Sequence, residues 1–353
     1  MERPCVRVPR ERGEETRRVL AEADALDREY EIEAADGSIY LPVDPDAITP
    51  AIAAELGLDD RDGSTGTRRR EGSARRGAAI VSRDVEPRRT QTTPADVLGF
   101  EPSLERLGDV VIVDEDDPER ARRIAEAVLA SDLPAKTVVN RASKVRGELR
   151  VRDWEVLAGD GTETVHREYG HEFLLDIATV YFSPRLATER HRVVQQVREG
   201  ERAVDMFAGV GPFAIPFAAR GAEVVAVDLN PEAVRYLREN VDRNGVSDRV
   251  TVVEGDVREV AADYAGWADR LVMNLPHSAE EFLDAAVAMA GSEAVVHYYD
   301  IQPDDDPFGP GEAAIREAAT PAGYDVEVLE RHEVRSYAPH ELNVCLDVRL
   351  VRS

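Results

Sequence analysis

The sequence predicts an α/β protein: a doubly wound, mostly parallel sheet with an antiparallel C-terminal edge pair, preceded by an α+β middle domain and a small α/β N-terminal domain. Three observations predict it. From about residue 200, short β-branched runs alternate with helical patterns, which is the signature of a parallel sheet with helices on both faces. The chain then ends in two strand-like runs, YDVEVLERHEVRSYAP and HELNVCLDVRLV, with no helix between them. Before residue 178 strands dominate, and an Arg- and Gly-rich stretch at 58–92 separates a small first unit from the rest.

Residues 1–57 begin with CVRVP, a strand, followed by an amphipathic helix over ERGEETRRVLAEAD and a hairpin around Ala35-Asp36-Gly37. Residues 58–92 have little periodicity and read as a linker; from Ser64 to Thr90 they hold eight arginines against three acids, so they also suit phosphate contact. In the middle domain, 93–178, VVIVDED is a strand and Asp117-Pro118 starts a helix. Strands interrupted at Gly147, Gly159–Gly161 and Gly170 follow, and KVRGELRVR gives one of them a basic face.

The last domain, 179–353, opens with YFSPRLATERHR, in which Ser183 is expected to cap a helix and Pro184 to occupy its first position. The apolar side of that helix carries Leu186, Val193, Val194 and Val197. Arg190 points into that stripe and Glu189 lies at its edge. Strands are expected at RAVDMF, EVVAVDL, VTVVEGD, DRLVMNL and AVVHYYD, and helices at PFAIPFAAR, PEAVRYLRENVDRNG and AEEFLDAAVAMA.

Composition narrows the setting. Asp plus Glu number 70 against 44 Lys plus Arg, a net charge of −26, and only Lys136 and Lys144 are lysine. Such an acid-rich, lysine-poor chain suits molar internal salt, where a Debye length of about 3 Å removes self-repulsion. Net charge therefore does not decide against a nucleic-acid partner. No apolar run is long enough to span a membrane and the charged N-terminus lacks a signal core, so the cytoplasm is expected. Cys5 and Cys345 are too few for a disulfide framework, and no HxxxH or HExxH motif suggests a metal. His297 reads as a packed strand-end residue.

In a doubly wound sheet the ligand lies beyond the carboxyl ends of the strands. After the first strand comes DMFAGVGPF, where Gly209 and Gly211 permit a tight turn and a close ligand approach, with the helix starting at Pro212. Asp205 ends that strand and repels a pyrophosphate. Asp228, 23 residues on, suits two ribose hydroxyls. Gly255-Asp256 suits an adenine amino edge, and Asn274-Leu275-Pro276-His277 ends the fourth strand. This set fits a cationic, ribose-bearing, phosphate-free nucleoside, and S-adenosylmethionine is the candidate cofactor.

DMFAGVGPFAIP, VDLNPEAV, GDVREV, MNLP, HYYD, RSYAP and YFSPRLATER together resemble the archaeal and eukaryotic tRNA (guanine-37-N1)-methyltransferase family over most of the chain. The resemblance implies a class I methyltransferase domain, a middle domain that completes the active site, and an N-terminal domain that recognises the tRNA corner. It implies Glu189 as the general base for the guanine N1 proton and Arg150 as the stabiliser of charge developing on O6. A carboxylate shielded by apolar neighbours has a raised pKa that suits this work. Arg190 is expected to face the cofactor's carboxylate. Phe207, Gly209, Gly211, Asp228, Leu229, Asn230, Asp256, Val257, Asn274 and Pro276 are expected to line the cofactor with Asp205. Tyr181, Arg185, Arg146 and Arg152 are expected to meet the tRNA, with Phe182 as another flank for the guanine. The family often has lysine where this chain has His277.

A monomer with tRNA, and no membrane, as partner is expected. Two other readings remain: a sister reaction of the wybutosine pathway on the same tRNA position, and a catalytically idle RNA-binding module. Glu189 with Arg150 favours methyl transfer, and the complete set of strand-end residues argues against the idle module.

Overall fold

The computed structural model describes residues 2–58, 78–88, 91–143 and 152–353. They divide into two units, Met1–Gln91 and Thr92–Ser353. In the first unit, β1 (Glu2–Pro9), α1 (Gly13–Glu22), β2 (Glu33–Ala35), β3 (Ser38–Pro42), α2 (Pro50–Leu56) and β4 (Ala79–Asp84) follow in turn. The sheet order is β2-β3-β1-β4. Asp36 and Gly37 both have positive φ, 51° and 73°, the backbone a two-residue hairpin requires, so the expected turn falls where Asp-Gly allows it. Val6, Val8 and Leu41 from the sheet and Leu20 from α1 form its core.

The second unit starts with α3 (Pro94–Leu98), β5 (Leu104–Leu107), β6 (Val110–Val113), α4 (Pro118–Ala130), β7 (Thr137–Arg141) and β8 (Trp154–Ala158), with sheet order β5-β6-β7-β8. Asp117 caps α4 through the backbone amides of Glu119 and Arg120, as its sequence position suggests. A separate hairpin follows, β9 (Glu163–Glu168) with β10 (His171–Asp176).

Helix α5 (Ala187–Val194) then leads to β11 (Arg202–Asp205), α6 (Ala214–Ala219), β12 (Glu223–Asp228), α7 (Pro231–Arg243), β13 (Val250–Glu254), α8 (Val257–Val260) and β14 (Ala268–Met273). The chain closes with α9 (Leu283–Met289), β15 (Ala290–Pro303), α10 (Gly309–Ala319), β16 (Tyr324–Ala338) and β17 (Glu341–Arg352). The seven-stranded sheet runs β13-β12-β11-β14-β15-β17-β16; β17 is antiparallel to both neighbours, which is the expected edge pair. Successive residues of its central strands enter opposite cores. Ala203, Val224, Ala226 and Val272 pack with α6 and α7, while Val204, Val225, Val227 and Leu271 pack with α9 and α10.

Two local expectations are corrected, one helix is added, and one hairpin packs with two of the expected domains. Ser183 makes no side-chain cap; Pro184–Leu186 form a 3-10 turn and α5 begins at Ala187. Helix α6 begins at Ala214 rather than Pro212. Helix α10 was not foreseen, because Gly309-Pro310-Gly311 reads as a loop. The β9–β10 hairpin, expected in the middle domain, is tied to α7. Asn240 accepts from the Leu174 amide at 2.7 Å and donates to the Leu174 carbonyl at 2.9 Å. Leu107, Val110 and Val139 of the four-stranded sheet share one core cluster with the hairpin's Phe173 and Leu175 and with α7.

Candidate active site

A cavity opens beyond the carboxyl ends of β11, β12, β13 and β14, where the strand order reverses. All the cofactor-facing residues expected from sequence line it except Asp205 and Gly211. Asp228 accepts from the amides of Gly209 at 2.6 Å and Asn230 at 2.8 Å, which ties the glycine turn to the acid. Each of its oxygens keeps a further lone pair for a ligand donor. Burial raises the Asp228 carboxyl, and the two amide bonds oppose that. Asn230 also caps α7 through the Glu232 amide and donates to the Thr179 carbonyl, so it anchors the wall more than it reaches the cavity. Asp256 caps α8 and pairs with Arg258, which pulls its carboxyl below the ordinary range. Phe282, not anticipated, meets Phe207 edge-on at 4.9 Å between ring centres and adds an apolar wall.

Asp205 lies behind this wall, 1% exposed. The amides of Phe207 and Ala214 face it, yet neither oxygen has a hydrogen-bond partner of full geometry among the described residues. Burial, with the nearby Asp228 charge, pushes its carboxyl up to about 7. Gly211 has φ +97°, and a Cβ there would come within 2.7 Å of Leu237 Cδ1 and 2.8 Å of Ile215 Cδ1. Its α-carbon packs against Leu237 and Ile215, and it is not part of the cavity lining. A Cβ on Gly209 would meet nothing within 4 Å, as suits a backbone that borders the cavity. The Asp228 carboxylate on the rim, with Asp205 buried behind it and no phosphate-loop lysine, fits S-adenosylmethionine, a cation with ribose hydroxyls. This arrangement does not fit a nucleotide phosphate.

Arg190 borders the cavity, but its charge is already matched. Its Nε donates to Glu168 Oε1 at 2.8 Å, its Nη2 to Glu168 Oε2 at 2.5 Å and to the Ser183 carbonyl at 3.1 Å. Burial works to raise the Glu168 carboxyl, and Arg190 and His166 outweigh it, leaving it below the ordinary range. Arg190 thus fastens α5 to the hairpin through a buried pair while it borders the cavity.

Glu189 is buried, and its surroundings are not the expected apolar shield. Arg192 donates to both oxygens, at 2.8 and 2.9 Å, and the Tyr299 hydroxyl donates to Oε1 at 2.7 Å. His332 Nε2 lies 3.1 Å from Oε2. Arg192 and Gln196 also bind Asp347, which in turn takes His297 Nδ1 at 2.7 Å. His297 is fully buried between Asp347 and Arg270, consistent with a packed residue. His297, Cys345 and Asp347 come close enough to share a metal ion. The guanidiniums of Arg192 and Arg270 already supply the positive charge there, and an added cation would be repelled.

A second cavity shares Tyr181, Phe182, Ser183 and Arg335 with the first. Arg141, Arg152, Arg185 and Arg335 line it against one acid, Glu105. Tyr181, Arg185 and Arg152 thus meet in one place, as expected. Arg141 and Arg185 both pair with Glu105, whereas burial and the neighbouring Arg141 lower the Arg152 pKa. Arg150 and Arg146 lie in 144–151, outside the described residues, as do 59–77 and 89–90 of the Arg-rich stretch. Glu168, Tyr299, Asp347, Arg335 and Asn343 were not singled out from sequence. HYYD and RSYAP marked the neighbourhood of Tyr299 and Arg335, but nothing local marked Glu168, whose partner is 22 residues away.

Comparison with known proteins agrees with this geometry. Residues 164–328 match the TRM5/TYW2 methyltransferase domain, 5–48 the tRNA methyltransferase 5 N-terminal domain and 94–162 the TYW2 N-terminal domain. The chain is 40% identical over 350 residues to tRNA (guanine(37)-N(1))-methyltransferase Trm5b of Pyrococcus abyssi, covering 98% of both chains. It is 36% identical over 256 residues to a tRNA(Phe) (4-demethylwyosine(37)-C(7)) aminocarboxypropyltransferase of Pyrococcus horikoshii, covering 70% of this chain and 89% of that protein. The crystal structure of Pyrococcus abyssi Trm5b superposes with a TM-score of 0.68 at 36% identity, covering 99% of each chain. A structure described as a complex of aTrm5 and tRNALeu superposes with a TM-score of 0.67 at 31% identity, again covering 99% of each. With that similarity running through all parts of the sequence, the chain belongs to the archaeal and eukaryotic tRNA (guanine-37-N1)-methyltransferase family.

Proposed function

We propose that this chain transfers a methyl group from S-adenosylmethionine to N1 of guanine 37 in tRNA. The observation that carries this reading is the shared wall between a cavity at the strand ends, bordered by Asp228, and an arginine-lined one. A cationic donor suits the first, and a guanine lifted out of the anticodon loop suits the second. S-adenosylmethionine, when bound, supplies an electrophilic methyl group.

The chain's residues do the rest. Asp228 holds the ribose, while Phe207 and Phe282 flank the nucleoside. Guanine N1 has no free lone pair until its proton leaves. Glu189 takes that proton, and Arg150 and Arg152 stabilise the charge that shifts to O6. A carboxylate has about four lone-pair sites, and those of Glu189 face Arg192, Tyr299 and His332. His332 is the most exposed of the three, so its departure is what frees Oε2 for substrate. Arg190 acts as a positioning residue, since it holds α5 against the hairpin. Tyr181 flanks the base.

The same reading places the protein in the cytoplasm of a cell with high internal salt, as a monomer. Among the described residues no helix is long and apolar enough to cross a membrane. The acidic, lysine-poor composition supports the salt requirement. The test is incubation in concentrated KCl with labelled methyl donor and an unmodified tRNA transcript, followed by nucleoside mass analysis. The expected product is 1-methylguanosine at position 37, and none from a transcript with another base there. A larger mass gain would move the reading to aminocarboxypropyl transfer, and equal labelling of both transcripts would overturn the site.

A further inference from the structure

Arginines on the edge pair β16–β17 and on the helix beside it are almost all occupied. Arg331 pairs with Glu312, Arg349 with Glu293 and Glu327, Arg316 donates to the Val326 carbonyl and Arg352 to the Tyr324 hydroxyl. Arg335, in the RSYAP segment, stands apart. It is half-buried, it borders both cavities, and no carboxylate pairs with it among the described residues. Its Nε is buried without a hydrogen-bond partner.

Its cross-strand neighbour repeats the pattern. Arg335 pairs in register with Asn343 of β17, which pairs in turn with Ile301 of β15, and all three border the first cavity. Asn343 is 4% exposed, and its side-chain oxygen has no partner among the described residues. A buried donor and a buried acceptor left unmatched side by side cost stability unless a ligand completes them. The row borders the same cavity as Asp228 and Asp256, but it lies on β15, β17 and β16, at the other end of the strand order from β12 and β13.

We infer that Arg335 and Asn343 are contacts for the target nucleotide of the tRNA, a deepening that rests on the function proposed above. The guanidinium donates to acceptor atoms of that nucleotide, on the guanine edge or on its phosphate, and the Asn343 oxygen accepts from one of its donors. Arginine's fork matches either acceptor set. The two residues select and hold the substrate without holding the methyl donor.

The test compares the full-length protein with Arg335→Met, Arg335→Lys and Asn343→Leu in concentrated KCl. It measures S-adenosylmethionine affinity by calorimetry, tRNA affinity by filter binding, and single-turnover methylation. Arg335→Met is expected to weaken tRNA binding or methylation by roughly 10-fold or more, the scale of a lost two-point contact, with methyl-donor affinity within about twofold. Arg335→Lys recovers part of the loss, and Asn343→Leu falls in the same direction. A salt slope of tRNA binding reduced by about one in Arg335→Met assigns the phosphate, and an unchanged slope assigns the base edge. Equal weakening of methyl-donor affinity, or no change in either tRNA readout, would overturn the inference. Wild-type protein that binds tRNA but never methylates it would remove the proposed function instead, and the two binding readouts would still judge Arg335.

Discussion

Glu168 and Arg190 form a two-point ion pair inside the protein, one from the hairpin and one from the helix that carries Glu189. Side-chain exposures of 7% and 3% mean that neither charge regains water if the other is removed. Breaking such a pair from one side typically costs about 3–5 kcal/mol. Glu168→Gln should therefore lower the unfolding free energy by that order in KCl. Glu168→Leu combined with Arg190→Met should lose less than the sum of the two singles. Denaturant titration of wild type, Glu168→Gln, the two singles and the double variant checks both expectations, and additive losses would show that the pair is not coupled.

Glu189→Gln retains the shape and removes the proton acceptor. Methyl transfer should fall by about 10²- to 10⁴-fold, with methyl-donor and tRNA affinities nearly unchanged. Arg192→Gln frees two of the Glu189 contacts but strands Asp347 with one cation fewer, so it should lose stability as well as rate. Thermal unfolding alongside single-turnover rates separates the two effects. Weak methyl-donor binding by Glu189→Gln would show that the residue is structural.

Asp205 makes stability depend on pH in a direction opposite to most carboxylates. Its carboxyl sits at about 7 in the folded protein because of burial and the Asp228 charge. The folded state binds more protons than the unfolded one between the unfolded value near 4 and the folded value. This contribution is full below about pH 4 and is lost as pH rises through about 7. Asp205→Asn should flatten the unfolding free energy over that window relative to wild type. A bound sulfonium favours the ionised acid, so affinity for S-adenosylmethionine should weaken below about pH 7. The uncharged thioether product should change less. Calorimetry near pH 6 and near pH 8 tests it, and identical pH profiles for the two ligands would count against a charge role.

Gly209 and Gly211 look alike in sequence and should behave differently. Gly211→Ala forces a methyl onto Leu237 and Ile215 at φ +97°, and a loss of roughly 1–3 kcal/mol is expected. Gly209→Ala has room, at φ +54°, so the fold should lose only about 1 kcal/mol while nucleoside binding weakens. Unfolding and nucleoside affinity measured on both variants distinguish packing from ligand approach.

The large sheet was legible because its strands are short apolar runs ending in Asp205, Asp228, Asp256 and Asn274, and helices between them follow a 3.6 period. The Asp36-Gly37 turn and the Asp117 cap were legible for the same local reason. What escaped was either masked by local chemistry or long-range. Helix α10 begins at Gly309-Pro310-Gly311. Gly311 is there because a Cβ would come within 3.0 Å of Tyr298 and Leu346, a packing constraint that reads as a loop in sequence. Glu189 reads as the edge of an apolar stripe, yet its partner Tyr299 is 110 residues away and His332 lies on another strand. No periodicity of α5 reports donors that arrive from elsewhere in the fold.

Tyr181, Phe182 and Ser183 stand between two chambers rather than inside one. Whatever seats itself on one side of this thin partition sets the position of the other side's wall. Thermodynamic linkage then makes the influence mutual: RNA that tightens the grip on the methyl donor must itself be gripped more tightly, by the same factor, once the donor is in place.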